Sequence, residues 1–219
     1  MKSASDMRKT GRPNINTGRY WDMIYESPTK FAEHKAQENE SYTSVGDVIL
    51  PPTKRFKYAL KEVKAGDKVL DMGCGLGSFL KLVKKEYPEN EIWGTDISQY
   101  IIDLDKEDLP EAKLFCRRIG AQVDIPEHYF DIVFCGETIE HLDEPVEAFV
   151  DAYRFLKPGG KFIITTPKGN KIESEEHTWY FDREDVEGLY YSVGFTLLDF
   201  IYLPDMEHIF ILMAVGTKE

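Results

Sequence analysis

The fold of this chain is decided by one short stretch, residues 69–80, which reads VLDMGCGLGSFL. Its first residues are apolar and continue from Lys68, a pattern typical of a buried strand. Gly73, Gly75 and Gly77 follow at alternate positions, and glycine allows the backbone to turn tightly and to approach a ligand closely. The residues after Gly77 have the apolar spacing of a helix. A strand, a glycine turn and a helix in this order predict an α/β protein that binds a nucleotide-like ligand at the end of its sheet.

The spacing of the glycines separates two classes of ligand. A dinucleotide-binding turn has the pattern Gly-x-Gly-x-x-Gly or Ala, which would place glycine or alanine at position 78, where the chain has Ser78. An acid, Asp71, precedes the glycines; its carboxylate would repel a pyrophosphate but suits a ligand that carries an amino group. A second acid, Asp96, ends the next predicted strand and can accept hydrogen bonds from both hydroxyls of a ribose.

Two later stretches complete an ordered set of motifs. Phe130-Asp131-Ile132-Val133 belongs to a fourth predicted strand, and the turn Leu156-Lys157-Pro158-Gly159-Gly160 precedes a fifth. Together with the glycine turn and Asp96, they resemble the motifs of the class I S-adenosylmethionine-dependent methyltransferases, over about residues 65–215. The resemblance implies S-adenosyl-L-methionine as cofactor. It also implies an α/β, Rossmann-like seven-stranded mixed sheet with an antiparallel last strand, helices on both faces and a small N-terminal helical cap.

The remaining pattern agrees with that architecture. Strands are predicted at residues 68–70, 91–96, 112–118, 129–136, 162–166, 195–202 and 209–215. Helices are predicted at residues 54–63, 79–86, 97–104, 145–156 and 183–193. Only a few residues, including Pro204 and Asp205, separate the last two strands, so these strands are predicted to form an antiparallel hairpin.

The N-terminal part is predicted to lie outside the sheet. Residues 1–16 are polar and predict a mobile arm, residues 19–25 predict a short aromatic helix, and residues 33–44 predict a second helix or a loop. This part either packs on the sheet as a cap or covers the bound ligands as a lid, and both roles are compatible. We therefore expect an arm and cap over residues 1–64 and a cofactor-binding domain over residues 65–219.

Composition narrows the possible partners and compartment. The chain has 219 residues and a formal net charge of −12, which argues against binding of long nucleic acids or anionic membranes. No run of about 18 apolar residues predicts a membrane span, and the N-terminus lacks the apolar core of a secretory signal. The three cysteines lie on or beside predicted strand ends and are expected to be reduced and buried, which favours a cytoplasmic protein. The expected partner is a small-molecule acceptor.

The resemblance assigns cofactor contacts to residues at the ends of the predicted strands. Asp71 and the glycine turn, which includes Cys74, correspond to the residues that hold the methionine part, and Asp96 corresponds to the ribose ligand. Ile97 and Gln122 correspond to the residues that flank adenine. Many relatives have an acid where Ala121 stands, so an adenine N6 contact would come here from Gln122 or the backbone. The methyl-donating side corresponds to Gly136 and Glu137.

His141 is the candidate general base. A hydroxyl acceptor must lose a proton during methyl transfer, and an imidazole can take it near neutral pH. The alternative interpretation is that His141 only hydrogen-bonds the backbone at the start of the following helix.

A divalent metal is a further alternative. Glu137, Glu140 and His141 form the pattern Glu-x-x-Glu-His, and His177 lies on a long loop that could supply a fourth ligand. The pattern resembles that of ubiquinone-pathway O-methyltransferases and of the methyltransferases of small-RNA 3′ ends, in which a cation orients a vicinal diol or catechol. Carboxylates and imidazoles suit Mg, Mn or Fe-type ions. Similar residues also occur in family members, sugar and polysaccharide modifiers included, to which no metal is assigned.

The sequence therefore predicts an S-adenosylmethionine-dependent methyltransferase acting on a small molecule, with a hydroxyl of a sugar, polysaccharide or lipid-pathway intermediate as the expected acceptor. The alternatives are a metal-assisted vicinal-diol O-methyltransferase, an NAD-dependent oxidoreductase or epimerase, and a catalytically inactive partner subunit. Aromatic side chains are expected to line an acceptor pocket: Trp21, Tyr25, Trp179, Tyr180 and Phe181.

Overall fold

The structure, a computed structural model, describes residues 8–32, 54–122, 124–169, 174–205 and 209–219. Its strands are β1 (Arg8–Lys9), β2 (Lys68–Met72), β3 (Glu91–Asp96), β4 (Lys113–Cys116), β5 (Phe130–Gly136), β6 (Leu156–Pro167), β7 (Trp179–Tyr180), β8 (Phe195–Asp205) and β9 (Ile209–Lys218). Seven of these strands form one sheet in the order β4-β3-β2-β5-β6-β9-β8. The neighbours from β4 to β6 are parallel, whereas β9 is antiparallel to both β6 and β8.

The helices cover the two faces of this sheet. They are α1 (Gly18–Glu26), α2 (Lys54–Leu60), α3 (Ser78–Glu86), α4 (Gln99–Asp108), α5 (Val146–Phe155) and α6 (Arg183–Val193), with a short 3-10 helix at Ile139–His141. Residues 28–32 are also helical. Successive strand residues point to opposite faces of a sheet. Accordingly, Val69 belongs to the apolar cluster that includes α2, α3 and α4, while Leu70 belongs to the cluster that includes α5 and α6.

The predicted fold class is confirmed; in the seven-stranded sheet and its helices the differences lie at element ends, and the two-stranded sheet β1-β7 was not predicted. The turn predicted at residues 157–161 is part of strand β6, which begins at Leu156 and contains a register shift opposite Phe130 and Ile132. Of its two glycines, Gly159 has a positive φ and Gly160 does not. The helix predicted from residue 97 begins at Gln99, because the side chain of Ser98 accepts a hydrogen bond from the backbone N–H of Ile101 and caps the helix.

The predicted antiparallel hairpin is β8 followed by β9. The buried hydroxyl of Tyr190, on α6, lies 3.0 Å from the carbonyl oxygens of Phe162 on β6 and Ala214 on β9. This side chain therefore connects α6 to the two strands where the sheet changes from parallel to antiparallel.

The N-terminal arm differs from its prediction within the described residues. Rather than a mobile segment, residues 8–16 dock on the loop after β6: β1 pairs with β7, and the backbone N–H of Thr10 donates to the carbonyl of Thr178 at 2.9 Å. The side chains of Asn14 and Asn16 donate hydrogen bonds to backbone carbonyls and help to hold this segment in place. The helix or loop predicted at residues 33–44 lies outside the described residues, and the division of the chain at residue 65 remains a prediction.

The cysteines are all free, but they are not all buried as predicted. Cys74 and Cys135 are buried, whereas Cys116 is exposed because it ends β4, the edge strand of the sheet. In the part of the chain that the structure describes, no helix combines the length and apolar character that crossing a bilayer requires.

Candidate cofactor and acceptor site

The glycine turn lies between β2 and α3 at the carboxyl end of the sheet. Gly73, Gly75 and Gly77 all have positive φ, at 78°, 50° and 65°, a region that side chains with a Cβ rarely adopt. A Cβ at Gly73 would also collide with the side chain of Thr138, in the segment after β5. The sequence has glycine here because the turn needs both the left-handed backbone and the close approach.

Asp71 precedes this turn and Cys74 lies within it, but the two side chains cannot contact a ligand in the same way. Asp71 is 2% exposed and is paired in register with Gly94 on one side and Phe134 on the other. The sulfur of Cys74 faces Gly94 inside the sheet. Asp71 thus lies at the centre of the carboxyl edge, whereas Cys74 can offer a ligand only its backbone.

Asp96 is fixed beside the glycine turn. One carboxylate oxygen accepts from the backbone N–H of Gly75 at 3.0 Å, and the other accepts from the backbone N–H of Ser98 at 2.9 Å. Burial raises the pKa of Asp96, while the N–H groups of Ser98, Gly75 and Ile97 oppose that rise. The predicted ribose ligand and the predicted methionine-binding turn are therefore joined by a direct hydrogen bond.

The predicted adenine side is held by a buried ion pair. Arg117, after β4, donates to the Asp151 carboxylate on α5 at 2.7 Å and also to the carbonyl of Ala121. Both charged side chains are about 5% exposed. Ala121 is partly buried and Gln122 is exposed, and contact of either residue with adenine remains a prediction.

The segment after β5 begins in an unusual backbone conformation. Glu137 has a φ of 49°, one of two non-glycine residues with positive φ among the described residues. Its N–H donates to the carbonyl of Thr165 at 2.8 Å, and Thr138 donates to the carbonyl of Gly136 at 2.9 Å. A left-handed residue without the freedom of glycine costs about 1–2 kcal/mol, and such residues concentrate at functional sites. The conformation turns the chain across the carboxyl end of the sheet at the predicted methyl-donating side.

His141 is oriented by contacts on three sides. Its Nδ1 lies 3.0 Å from the carbonyl oxygen of Glu176. The ring of Trp21 meets it edge-on at a centroid distance of 5.4 Å, and the ring of His177 lies at 5.1 Å. A carbonyl can only accept, so in the neutral ring Nδ1 carries the proton and Nε2 carries the lone pair. Nε2 is therefore the atom that can act as a base or as a metal ligand.

Glu140 and His177 complete a cluster with His141. Ligand atoms of the three side chains lie within 4.8 Å of one another, while opposite ligands of a bound Mg²⁺ are about 4.2 Å apart. Glu140 is 1% exposed and accepts from the Thr166 hydroxyl at 3.0 Å. Burial, and then the charge of Glu137, raise the pKa of Glu140 well above its usual value. Among the described residues, Glu137 is not part of this cluster, so the structure brings together three of the four predicted ligands.

Four residues that the sequence did not single out also contribute contacts to the site: Tyr20, Asp22, Ser174 and Glu176. The carboxylate of Glu176 accepts from the hydroxyls of Ser174 and of Tyr20, the latter at 2.7 Å. Burial would raise the pKa of Glu176, but hydrogen bonds from Ser174 and Tyr20 outweigh it and lower the pKa to about 2. Asp22, two residues after Tyr20, binds the start of α4. The consecutive polar and aromatic residues 20–22 were the only sequence signal for these contacts.

Arg55, on α2, is a further residue that sequence reasoning missed. Its Nε is buried without a hydrogen-bond partner among the described residues, and its guanidinium lies 4.8 Å from the ring of Phe56. Phe56 contacts Phe79 in the first turn of α3 and Phe134 on β5. Through Phe56 the cation is packed near the start of α3 and β5, and its charge also acts on Glu140.

The predicted aromatic pocket is realised only in part. Tyr25, Trp179 and Phe181 are buried in packing roles, and the indole N–H of Trp179 donates to the carbonyl of Leu142 at 2.8 Å. Trp21 is the aromatic residue of the predicted set that contacts His141. Packing thus accounts for most of this set, and Trp21 is its best placed candidate for acceptor recognition.

Comparisons with known proteins show what the chain is similar to. Residues 70–164 match a family described as a methyltransferase domain. The chain is 33% identical over 131 residues to an uncharacterized methyltransferase of Schizosaccharomyces pombe, covering 55% of this chain and 47% of that protein. It is 29% identical over 177 residues to phosphoethanolamine N-methyltransferase 1 of Zea mays, covering 77% of this chain and 34% of that protein.

A solved structure shows the same fold. Haemonchus contortus phosphoethanolamine N-methyltransferase 2, in complex with S-adenosyl-L-methionine, superimposes with a TM-score of 0.71 over 93% of this chain and 60% of that chain, at 16% identity. The fold and the matches together define a class of cofactor-dependent enzyme. Residues 70–164 match a methyltransferase domain, and the matches together support a class I S-adenosylmethionine-dependent methyltransferase. The chain spans 47% and 34% of the lengths of the two relatives described above.

Proposed function

We propose that this protein transfers a methyl group from S-adenosyl-L-methionine to a hydroxyl of a small molecule. The observation that carries the proposal is the hydrogen bond between the Asp96 carboxylate and the backbone N–H of Gly75. This bond joins a carboxylate and a glycine turn at the carboxyl ends of adjacent parallel strands, where α/β proteins bind their ligands, and it supports Asp96 as the residue that accepts from the ribose hydroxyls.

The charges around the turn suit the two ends of the methionine part of the cofactor. Asp71 is a buried acid that can pair with the cofactor's amino group, and Arg55 is a cation that can pair with its carboxylate. A dinucleotide has no aliphatic ammonium group to pair with Asp71, and its pyrophosphate would be repelled. This pairing of opposite charges favours S-adenosylmethionine over NAD.

The cofactor supplies a methyl group that is already activated on a sulfonium, so the protein mainly positions the acceptor and excludes water. In our proposal, His141 Nε2 takes the proton from the acceptor hydroxyl, while the Glu176 carbonyl keeps the other ring nitrogen protonated. Trp21 shields the imidazole from one side. The expected acceptor is a sugar, polysaccharide or lipid-pathway hydroxyl.

The cluster of Glu140, His141 and His177 favours a second candidate, a metal-assisted reaction on a vicinal diol. These residues would hold a divalent cation, which would polarise the acceptor hydroxyl and replace the general base. The donor set of one carboxylate and two imidazoles fits Mn or Fe-type ions better than Mg. Burial, which raises the pKa of Glu140, opposes the ionised form that a metal ligand requires.

Transfer of tritium from methyl-labelled S-adenosylmethionine distinguishes these reactions. The acceptors would be a catechol, a monosaccharide and phosphoethanolamine, and each would be tested with and without EDTA. We expect a hydroxyl acceptor to be labelled, and His141→Ala to lose at least about 100-fold in rate, as expected for loss of a general base. His128→Ala is the matched control, because His128 lies before β5 and contacts Lys218 at the opposite end of the strand.

Each other outcome has a definite meaning. Loss of labelling in EDTA that Mn²⁺ restores would favour the metal-assisted reaction. Labelling of phosphoethanolamine alone would contradict the hydroxyl acceptor. An unchanged rate in His141→Ala would show that His141 is not the general base. Cofactor binding with no labelling of any acceptor would favour an inactive partner subunit.

A further inference from the structure

Asp22 joins the N-terminal helix to the start of α4. One oxygen of its carboxylate accepts from the hydroxyl of Ser98 at 2.6 Å and from the backbone N–H of Tyr100 at 3.0 Å. Free N–H groups at the beginning of a helix need such acceptors. Ser98 is the N-cap residue of α4, and Asp22, which lies 76 residues earlier on α1, adds a second acceptor for the start of that helix.

Ser98 connects Asp22 to the candidate ribose ligand. Its side chain is fully buried, its hydroxyl donates to Asp22, and its backbone N–H donates to Asp96 at 2.9 Å. Gly18, on the same helix as Asp22, lies so close to the chain that an added Cβ would be 2.7 Å from the carbonyl oxygen of Ile97. Helix α1 is therefore fitted against the segment that carries Asp96 and Ile97.

The same helix reaches the opposite side of the site with the two residues before Asp22. Tyr20 donates to the Glu176 carboxylate at 2.7 Å, and Trp21 contacts the ring of His141. Three consecutive residues thus contact the cofactor side and the acceptor side. Because α1 is hydrogen-bonded or packed at both sides of the site, a shift of structure at one side can be transmitted to the other.

We propose that Asp22 is a positioning residue that holds the Ser98–Asp96 segment for the cofactor and couples cofactor binding, through α1, to the placement of His141 and Glu176. The proposal rests on the proposed cofactor. The two carboxylates repel each other, since the charge of Asp22 contributes to the raised pKa of Asp96 after burial. Asp22 therefore holds the segment through its hydrogen bonds with Ser98 and Tyr100 rather than through its charge.

Calorimetric titration with S-adenosylhomocysteine tests this role without an acceptor. Asp22→Ala should weaken binding about tenfold, the effect of losing hydrogen bonds to a charged group. Asp22→Asn keeps an acceptor oxygen and removes the repulsion, so it should bind at least as tightly as the wild type. The matched control is Asp103→Ala, an acid on α4 that is 61% exposed and, in the part of the chain that the structure describes, bonds to side chains of its own helix; its affinity should stay within about twofold. Ser98→Ala tests the same link if Asp22→Ala does not fold.

A double-mutant cycle tests the coupling between the two sides. Tyr20→Phe removes the hydrogen bond to Glu176, and it should weaken S-adenosylhomocysteine binding about threefold in the wild type but have no further effect in Asp22→Ala. Additive effects would overturn the coupling. Equal affinities of Asp22→Ala and Asp103→Ala would overturn the role of Asp22. A wild-type protein that binds no S-adenosylhomocysteine would instead overturn the proposed function.

Discussion

At the scale of single residues, the site depends on backbone conformations that only certain residues adopt easily. Gly73 supplies a left-handed turn and also makes room for Thr138. Glu137 adopts a left-handed conformation without being glycine. The first feature could be read from the sequence, because glycine at a turn is a strong local signal. The second could not, because nothing in the residue type of Glu137 indicates its φ.

Gly73→Ala should abolish most cofactor binding. The new Cβ would be strained by the positive φ and would collide with Thr138, so we expect at least about a tenfold loss of S-adenosylhomocysteine affinity and roughly 1–3 kcal/mol of stability. Calorimetry and denaturant unfolding measure the two effects.

Gly66→Ala is the matched control for this substitution. Gly66 also has a positive φ, at 86°, but a Cβ there would meet no atom within 4 Å, and the residue precedes β2 at the other end of the strand. It should lose about 1 kcal/mol of stability with an unchanged affinity. Equal losses of affinity in the two variants would show that strain alone, rather than the close approach at the turn, explains the result.

At the scale of elements, the order and type of the strands and helices around the glycine turn were predictable, because each is a local pattern of apolar residues and turn residues. The predicted cofactor ligands lie at the ends of strands that are neighbours in the sheet, so they could be proposed together from the sequence. The contacts of the acceptor side could not be predicted, because they join distant segments: Tyr20 and Glu176 are 156 residues apart, and Asn14 and His141 are 127 apart. Polar residues 8–16 indicate an arm, but they do not say what it contacts.

The junction of β3 and β4 allows a pH test of the sheet. Glu91, at the start of β3, accepts from Lys113, from the indole of Trp93 and from the Tyr129 hydroxyl. Burial would raise the pKa of Glu91, but these hydrogen bonds outweigh it and lower the pKa from 4.5 to about 2. A lowered folded-state pKa gives stability that is present above the unfolded value and is lost as pH falls through the folded value.

Glu91→Gln should therefore cost roughly 1–2 kcal/mol of stability near neutral pH, a figure already reduced for the partial exposure of the pair. The difference from the wild type should shrink as pH falls from about 5 towards 2. Denaturant unfolding at several pH values measures it, with the exposed Glu89→Gln as control. A difference that stays constant over this range would contradict the assigned hydrogen bonds.

At the scale of the whole molecule, the sheet and the N-terminal segment have different roles in the site. The carboxyl ends of β2, β3 and β5 carry the predicted cofactor ligands, while β1, α1 and the segment between them hold the loop after β6 against His141. The net charge of −12 provides no attraction for long polyanions, in agreement with a small acceptor. Both the proposed reaction and the proposed coupling through α1 require that the carboxyl end of the sheet binds S-adenosylmethionine.

The most direct test is calorimetric titration of the wild-type protein and Asp96→Ala with S-adenosylmethionine, S-adenosylhomocysteine and NAD. We predict micromolar binding of the two sulfur ligands by the wild type, a loss of at least about tenfold in Asp96→Ala because its ribose contacts are removed, and no binding of NAD. Binding of NAD without binding of either sulfur ligand would contradict the account.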